Sequence, residues 1–231
     1  MAVFDKVEFE LFAVVCLLRS FPQFVVQPVK GESPDWWNEV DGVGIEVSRA
    51  EDAHIGYANV FANRYLGKHR EEIPEGILKK FNGDAAFDRN NKLWYVSPDK
   101  GLVDGKRHIC YAIEQSKDKL NKLNSGVFHV FQTNCLFLYM TMCLEDNDPT
   151  DFSAGYKELA KQYHVMFKHV FLEDYEALFH FDFEKRTIEK YKYRENELPG
   201  LIALTNKLRE ASTWDNGTSF EEIYSLCAGS S

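Results

Sequence analysis

Apolar and polar residues along the first part of the chain follow helical spacing, then strand spacing, then helical spacing again. Residues from about Asp5 to Arg19 are apolar on nearly all sides, which is typical of a buried helix. Phe21-Pro22 interrupts this pattern, and Phe24 to Val29 then predicts a short strand. From about Ala50 to Leu66, aromatic and aliphatic residues recur at helical spacing, which predicts a second helix ended by Gly67.

The second half of the chain alternates predicted strands and helices. Apolar residues at helical spacing predict a helix over His108 to Leu123. The unbroken apolar run from Cys135 to Met140 is typical of a central strand buried on both faces. A further helix, three strands and a last helix are predicted at Asp151 to Phe167, His169 to Leu172, Ala177 to Phe183, Thr187 to Tyr191 and Leu198 to Ala211. This order predicts an α/β protein in which helices flank a central mixed β-sheet.

Residues 67–107 are the least regular part of the chain, with clusters of Gly, Asn, Asp and Pro. Within them, Leu93 to Val96 predicts a strand that pairs in a small hairpin. No internal repeat and no low-complexity linker separates the two halves. We therefore predict a single domain over residues 1–231, with an insertion at about 67–107 and a C-terminal helix at about 198–211.

The stretch from Pro34 to Arg49 predicts a β-hairpin that brings two carboxylate side chains together. Asp41-Gly42 is a favoured turn dipeptide between two segments that prefer strands. Because strand side chains alternate between faces, Glu46 should point away from its neighbours Ile45 and Val47 and toward Asp35. Two converging carboxylates, with a backbone carbonyl such as that of Val47, are sufficient ligands for Mg²⁺ or Mn²⁺.

Composition limits the classes of function. The 231 residues have a net charge of −9, which argues against a surface that coats nucleic acid on all sides but allows a local basic groove or an acidic metal site. No run of about 18 apolar residues is present, so no membrane span is predicted. The five cysteines are scattered, without zinc-ligand spacing, and we predict buried free thiols in the cytoplasm.

The hairpin and the order of elements resemble the PD-(D/E)xK superfamily, which has the restriction-endonuclease-like fold. Pro34-Asp35 is similar to the first acidic element of that family, and Glu46-Val47-Ser48 lies where its acid-x-lysine element is expected. The stretch 112–120, which precedes the buried strand, resembles the core helix of the family. The resemblance covers roughly residues 5 to 145.

The resemblance implies a Mg²⁺-dependent nuclease, with DNA as the expected nucleic-acid substrate. Asp35 and Glu46 would be metal ligands, and Glu8 of the first helix would add a third ligand if it reaches the site. The lysine of the family is replaced by Ser48. In some members a neighbouring helix supplies this lysine, and Lys117 or Lys119 would supply it here. Cleavage of both strands of a duplex would need two sites, so a homodimer is compatible with this function.

Two other interpretations stay open at the level of sequence. The chain could be a nuclease-fold protein whose site has decayed and which binds nucleic acid or protein without cutting. It could also be an unrelated α/β protein in which Asp35 begins a turn, Glu46 faces solvent, and Lys117 and Lys119 belong to a solvated helix face.

The acids of the first helix, Glu8 and Glu10, also have a plain structural explanation, because negative charges in the first turn of a helix interact favourably with its dipole. The alternative is that one of these two acids points toward Asp35 and Glu46.

Overall fold

A seven-stranded mixed sheet forms the centre of the larger part of the molecule. Its strand order is β1-β2-β3-β6-β7-β8-β9. The strands are β1 (Val29–Lys30), β2 (Trp36–Asn38), β3 (Val43–Ala50), β6 (Thr133–Met140), β7 (His169–Glu173), β8 (Ala177–Asp182) and β9 (Thr187–Lys192). Strands β3, β6 and β7 are parallel, whereas the other neighbouring pairs are antiparallel. The predicted class, a mixed sheet flanked by helices, is confirmed.

The computed structural model describes residues 6–26, 28–50, 58, 61–62, 64–81, 84–96, 107–140 and 143–211. The chain divides into two compact units. Unit 1 comprises Met1–Ala50 with Ala112–Ser231, and unit 2 comprises Glu51–Tyr111. Unit 2 contains the predicted insertion, although the sequence did not predict that this segment forms a compact unit.

Helices cover both faces of the sheet in unit 1. Helices α1 (Lys6–Ser20) and α5 (Glu197–Ala211) share a hydrophobic core with one face, which includes Ile45, Val47, Cys135, Phe137 and Phe171. Helices α3 (Arg107–Asn124) and α4 (Asp148–Ala160) lie on the other face. There the ring of Phe152 on α4 contacts that of Phe181 on β8, with centroids 5.0 Å apart. Because each face is covered, the central strand β6 is buried along almost its whole length, as its apolar sequence predicted.

Unit 2 has a small core of its own. Strands β4 (Ala85–Phe87) and β5 (Leu93–Val96) form the predicted antiparallel hairpin, and α2 (Glu75–Lys80) precedes it. Its buried residues are Ala58, Phe61, Tyr65, Ile73, Phe81, Leu93 and Val96. Of the predicted helix over residues 50–66, Ala50 belongs to β3, residues 58, 61–62 and 64–65 are helical, and most of the others lie outside the described residues.

Two elements differ from the sequence prediction. The strand predicted over Phe24 to Val29 is instead a 3₁₀ turn at Pro22–Phe24 followed by the two-residue β1. Proline favours the first position of such a turn, and the N–H of Val25 donates to the carbonyl of Pro22. Helix α4 ends at Ala160 rather than Phe167, because the side chain of Asn124 bonds both backbone groups of Val165 and so stabilises a loop there.

Four cysteines lie within the described residues, and all are free thiols. Cys16 and Cys135 are buried as predicted, whereas Cys110 and Cys143 are exposed. Within the described ranges, no helix has the length and apolar character needed to cross a membrane.

The central strand gives a test of the fold. Phe137 on β6 is fully enclosed, so Phe137→Ala should lower the free energy of unfolding by about 3–5 kcal/mol through lost burial and a cavity. Ile188 on β9 is 41% exposed, and Ile188→Ala should change the free energy of unfolding by less than about 0.5 kcal/mol. Urea denaturation of both variants measures the difference. Equal effects would contradict the position of β6 at the centre of the sheet.

Candidate metal centre

The β2–β3 hairpin brings Asp35 and Glu46 together. Trp36 pairs with Ile45 in the antiparallel ladder, so the next opposed positions are Asp35, just before β2, and Glu46. Directly opposed residues in an antiparallel pair place their side chains on the same face. Both carboxylate residues are buried, with 4% and 5% exposure for Asp35 and Glu46. The predicted convergence of the two acids is therefore found in the structure.

The turn of the hairpin has the chemistry that its sequence indicated. Gly42 adopts φ +61°, a backbone conformation in which a glycine is least strained. The side-chain oxygen of Asn38 accepts a hydrogen bond from the N–H of Asp41 at 3.1 Å, and its amide group donates to the carboxylate of Asp41 at 3.1 Å. These contacts fix the register of the two strands and hence the pairing of the acids.

Asp35 is held by the backbone of the opposite strand. Its Oδ2 accepts a hydrogen bond from the N–H of Val47 at 2.8 Å. The N–H and C=O of one residue in an extended strand point to the same side, so the carbonyl of Val47 also faces the side of Asp35. The register of the hairpin places this carbonyl opposite Pro34, which has no N–H to donate to it.

Lys119 of α3 forms an ion pair with Glu46. Its Nζ lies 2.6 Å from Glu46 Oε1, and the two side chains are only 14% and 6% exposed. The other carboxylate oxygen, Oε2, is buried and has no hydrogen-bond partner among the described residues. Lys117 is exposed to solvent on α3. Of the two lysines that the sequence offered, it is therefore Lys119 that reaches the acids.

The residues after Glu46 divide between the two faces of the sheet. The hydroxyl of Ser48 donates to Gln115 Oε1 of α3 at 3.3 Å, so position 48 faces the same helix as Glu46. The guanidinium carbon of Arg49 lies 4.9 Å from the ring centroid of Phe9 on α1, which covers the opposite face. Arg49 thus points away from the acids, in keeping with the alternation of side chains along a strand.

Helix α1 contributes Glu10 to the site. Glu10 is 3% exposed, and its negative charge is close enough to raise the pKa of Asp35. Its Oε2 accepts from Lys30 Nζ at 2.8 Å, and its Oε1 lies 3.4 Å from Lys6 Nζ. Glu10 is thus the acid of α1 that reaches the site. Glu8, the residue named as a third ligand from the sequence, is only half-buried, and its role as a ligand stays a prediction.

The indole of Trp36 ties α1 to the hairpin. Its Nε1 donates to the backbone carbonyl of Glu10 at 2.9 Å, and the side chain is among the largest that are fully buried. This contact fixes the position of Glu10 relative to Asp35, which precedes Trp36 in the chain. The sequence contained no signal for this bond, because it joins residues from two separate elements.

Burial disfavours the ionised forms of Asp35 and Glu46. Desolvation, together with the negative charges of Glu46 and Glu10, raises the pKa of Asp35 to about 7, although the hydrogen bond from Val47 partly opposes this. Desolvation also raises the pKa of Glu46, and the positive charges of Lys119 and Lys122 oppose the rise. The attraction of Glu10 raises the pKa of Lys6. Additional positive charge at this site would favour the ionised carboxylates.

The donor set fits a hard divalent cation. Carboxylate and carbonyl oxygens are the ligands that Mg²⁺ prefers, and the buried Oε2 of Glu46 is an acceptor without a hydrogen-bond donor in the described structure. The described residues contain no group of three His, Cys, Asp or Glu side chains arranged as metal ligands. Two carboxylates and one carbonyl form a sparse set, which suits an ion that keeps several of its waters.

Comparison with known proteins gives no relative for this chain. No protein-family model, no curated protein and no solved structure matches it. The resemblance to the PD-(D/E)xK superfamily therefore stays a prediction, carried by the residues of the hairpin and α3.

The raised pKa of Asp35 predicts how stability depends on pH in the absence of metal. The folded state holds the proton of Asp35 up to about pH 7, whereas the unfolded chain loses it near pH 4. Stability should therefore fall as pH rises from about 4 through 7. Asp35→Asn removes the buried charge and should stabilise the protein at pH 8 by up to about 4 kcal/mol, and at pH 5, where only the first part of the loss has occurred, by less than half as much.

Chemical denaturation at both pH values, with EDTA present, measures this effect. Asp146→Asn is the matched control, because Asp146 is exposed in a turn and should alter stability little at either pH. A wild-type protein that is as stable at pH 8 as at pH 5, with no gain from Asp35→Asn, would show that Asp35 is not held in a desolvated environment.

Proposed function

We propose that this chain is a Mg²⁺- or Mn²⁺-dependent nuclease that hydrolyses phosphodiester bonds, with DNA as the expected substrate. The observation that carries the proposal is the ion pair between Lys119 and Glu46, next to Asp35. It supplies a buried lysine at the acid pair although Ser48 occupies the position where the family has its lysine. The same pair also compensates the buried charge of Glu46, so cleavage and metal binding are the measurements that separate an active site from a decayed one.

Asp35, Glu46 and the carbonyl of Val47 would hold the metal ion. When bound, the ion would supply an activated water, stabilise the added negative charge on the phosphorus centre, and assist the leaving oxygen. Burial and the negative charges of Glu46 and Glu10 oppose the ionised form of Asp35 in which it can act as a ligand. Asp35 must be ionised for this role, and its raised pKa predicts that activity increases from pH 6 to pH 8.

Lys119 has two tasks in this scheme. Its ammonium group favours the carboxylate form of Glu46, because the attraction between the two charges opposes the effect of burial on the pKa of Glu46. The same group can donate hydrogen bonds to an attacking water or to a phosphate oxygen, where it offsets negative charge. Gln115 lies on the same side of α3 and contacts Ser48, so it can orient a further polar group there.

The competing function is a binding module that retains the fold but does not cut. The absence of a lysine at position 48 and the net charge of −9 favour it. The buried Lys119–Glu46 pair and the raised pKa of Asp35 favour the nuclease, because perturbed titratable groups gathered at one place are typical of functional sites. Cleavage and metal binding distinguish the two functions directly.

The cleavage test uses plasmid and single-stranded DNA with Mg²⁺ or Mn²⁺. Glu46→Gln should abolish cleavage, and Lys119→Ala should slow it about 10²- to 10³-fold, as expected for the loss of one charge-stabilising donor. Lys117→Ala is the matched control, since Lys117 lies on the same helix but is exposed, and this variant should cleave at the wild-type rate.

Metal binding is measured separately by calorimetric titration of Mn²⁺ into the metal-free protein. Glu46→Gln should weaken Mn²⁺ binding at least about 10-fold, since it replaces a charged ligand with a neutral one. Wild-type protein that neither binds Mn²⁺ nor cleaves DNA would refute the nuclease proposal. Cleavage that persists at full rate in Glu46→Gln would place the activity elsewhere.

A further inference from the structure

A surface of unit 2 exposes two neighbouring aromatic rings. On β5, Trp94 and Tyr95 are 62% and 46% exposed, and their ring centroids lie 5.8 Å apart. Between them these side chains offer a large apolar area with a polar atom on each ring, a combination enriched at contact surfaces. Leu93 and Val96, at the two ends of the strand, are buried and anchor it in the core of unit 2.

Positive side chains flank the strand that carries these rings. The N–H of Leu93 donates to the carbonyl of Lys68 at 2.9 Å, and the N–H of Arg70 donates to the carbonyl of Asn91 at 2.9 Å. The segment 68–70 therefore runs beside the start of β5. Lys68, Arg70 and Lys92 are all exposed, with the ammonium nitrogen of Lys68 5.7 Å from the ring centroid of Tyr65 and the guanidinium carbon of Arg70 4.9 Å from that of Phe87. We call these three cations, together with Trp94 and Tyr95, the aromatic surface.

Neighbouring acids are engaged in backbone contacts. Asp88 Oδ1 accepts hydrogen bonds from the N–H groups of Asn90 and Lys92 at 2.9 and 2.8 Å. Glu72 Oε2 accepts from the N–H of His69 at 2.7 Å. Backbone N–H groups of their own turns thus orient both carboxylates.

The charge of the chain is distributed unevenly between the two units. Residues 51–111 contain 10 Lys and Arg against 9 Asp and Glu, whereas the rest of the chain contains 17 against 27. Unit 2 is thus close to neutral in a protein whose net charge is −9. An anionic ligand is repelled less by unit 2 than by the remainder of the chain.

We infer that unit 2 binds single-stranded nucleic acid on the aromatic surface. Unpaired bases stack on Trp94 and Tyr95, and Lys68, Arg70 and Lys92 contact the phosphates. A duplex presents its bases already stacked, so a single strand is the ligand that matches exposed rings. The choice of nucleic acid as the ligand rests on the proposed function. The binding itself needs no metal ion and no cleavage.

Fluorescence anisotropy of a labelled thymidine oligonucleotide, measured in EDTA with the whole protein, tests the inference. Trp94→Ala should weaken binding about 10-fold, and Trp94→Phe should retain most of the affinity because it keeps a ring for stacking. Leu66→Ala is the matched control, since Leu66 is also in unit 2 and is 57% exposed. Affinity should fall steeply as salt increases, and an unlabelled duplex should compete less well than a single strand.

The outcomes separate this inference from the nuclease proposal. Equal affinities of Trp94→Ala and Leu66→Ala would overturn the inference, even if the protein cleaves DNA. Binding that depends on Trp94 without any cleavage would support the inference and count against the nuclease. If the wild type binds no oligonucleotide and Trp94→Ala instead abolishes self-association in sedimentation, the surface binds a second copy of the chain and the inference is wrong.

Discussion

Burial of carboxylate groups is the constraint on which the candidate site depends. Asp35, Glu46 and Glu10 are each at most 5% exposed, in an environment where an unpaired charge is expensive. Lysines from three different elements compensate for this cost. Lys119 pairs with Glu46, and Lys30 and Lys6 lie at Glu10, whereas Asp35 relies on a backbone N–H and on a raised pKa. Three carboxyl groups are thus held in one buried cluster by neighbouring lysines, a backbone N–H and raised pKa values.

The fold supplies what this arrangement requires. The parallel pairing of β3 with β6 needs a connection that crosses over the sheet, and α3 forms its final part. That crossing lays α3 on the face to which Glu46 and Ser48 point. Lys119, one turn after Gln115, can therefore reach Glu46. On the opposite face, α1 is fixed to β2 through Trp36, which brings Glu10 to Asp35.

The sequence was informative where local chemistry determines structure. The Asp41-Gly42 dipeptide indicated the hairpin. Strand alternation placed the side chain of Glu46 on the other face of the strand from those of Ile45 and Val47. The apolar run of β6 indicated a central strand. These features depend on neighbouring residues, so the chain itself reveals them. The strand predicted before the hairpin failed because Pro22 and the bond it accepts from Val25 outweigh the β-propensity of the residues that follow.

Contacts between distant elements could not be derived in the same way. The contact of Lys119 with Glu46 depends on the rotation of α3, and the burial of Glu10 on that of α1, both of which are set by packing. The sequence likewise gave no reason to pair His169 with His180, yet their ring nitrogens lie 3.0 Å apart in the core across β7 and β8. Burial lowers the pKa of both histidines, a property that spacing along the chain does not reveal.

The contact between Ser48 and α3 has a consequence for substitution at this site. Positions 48 and 119 face the same side of the sheet, so the chain could carry a lysine at either place or at both. A lysine introduced at position 48 would enter the side of β3 that already holds Lys119, next to the same buried acid. The counter-charge of Glu46 could in this way come from the strand or from the helix, at positions 71 residues apart in the chain.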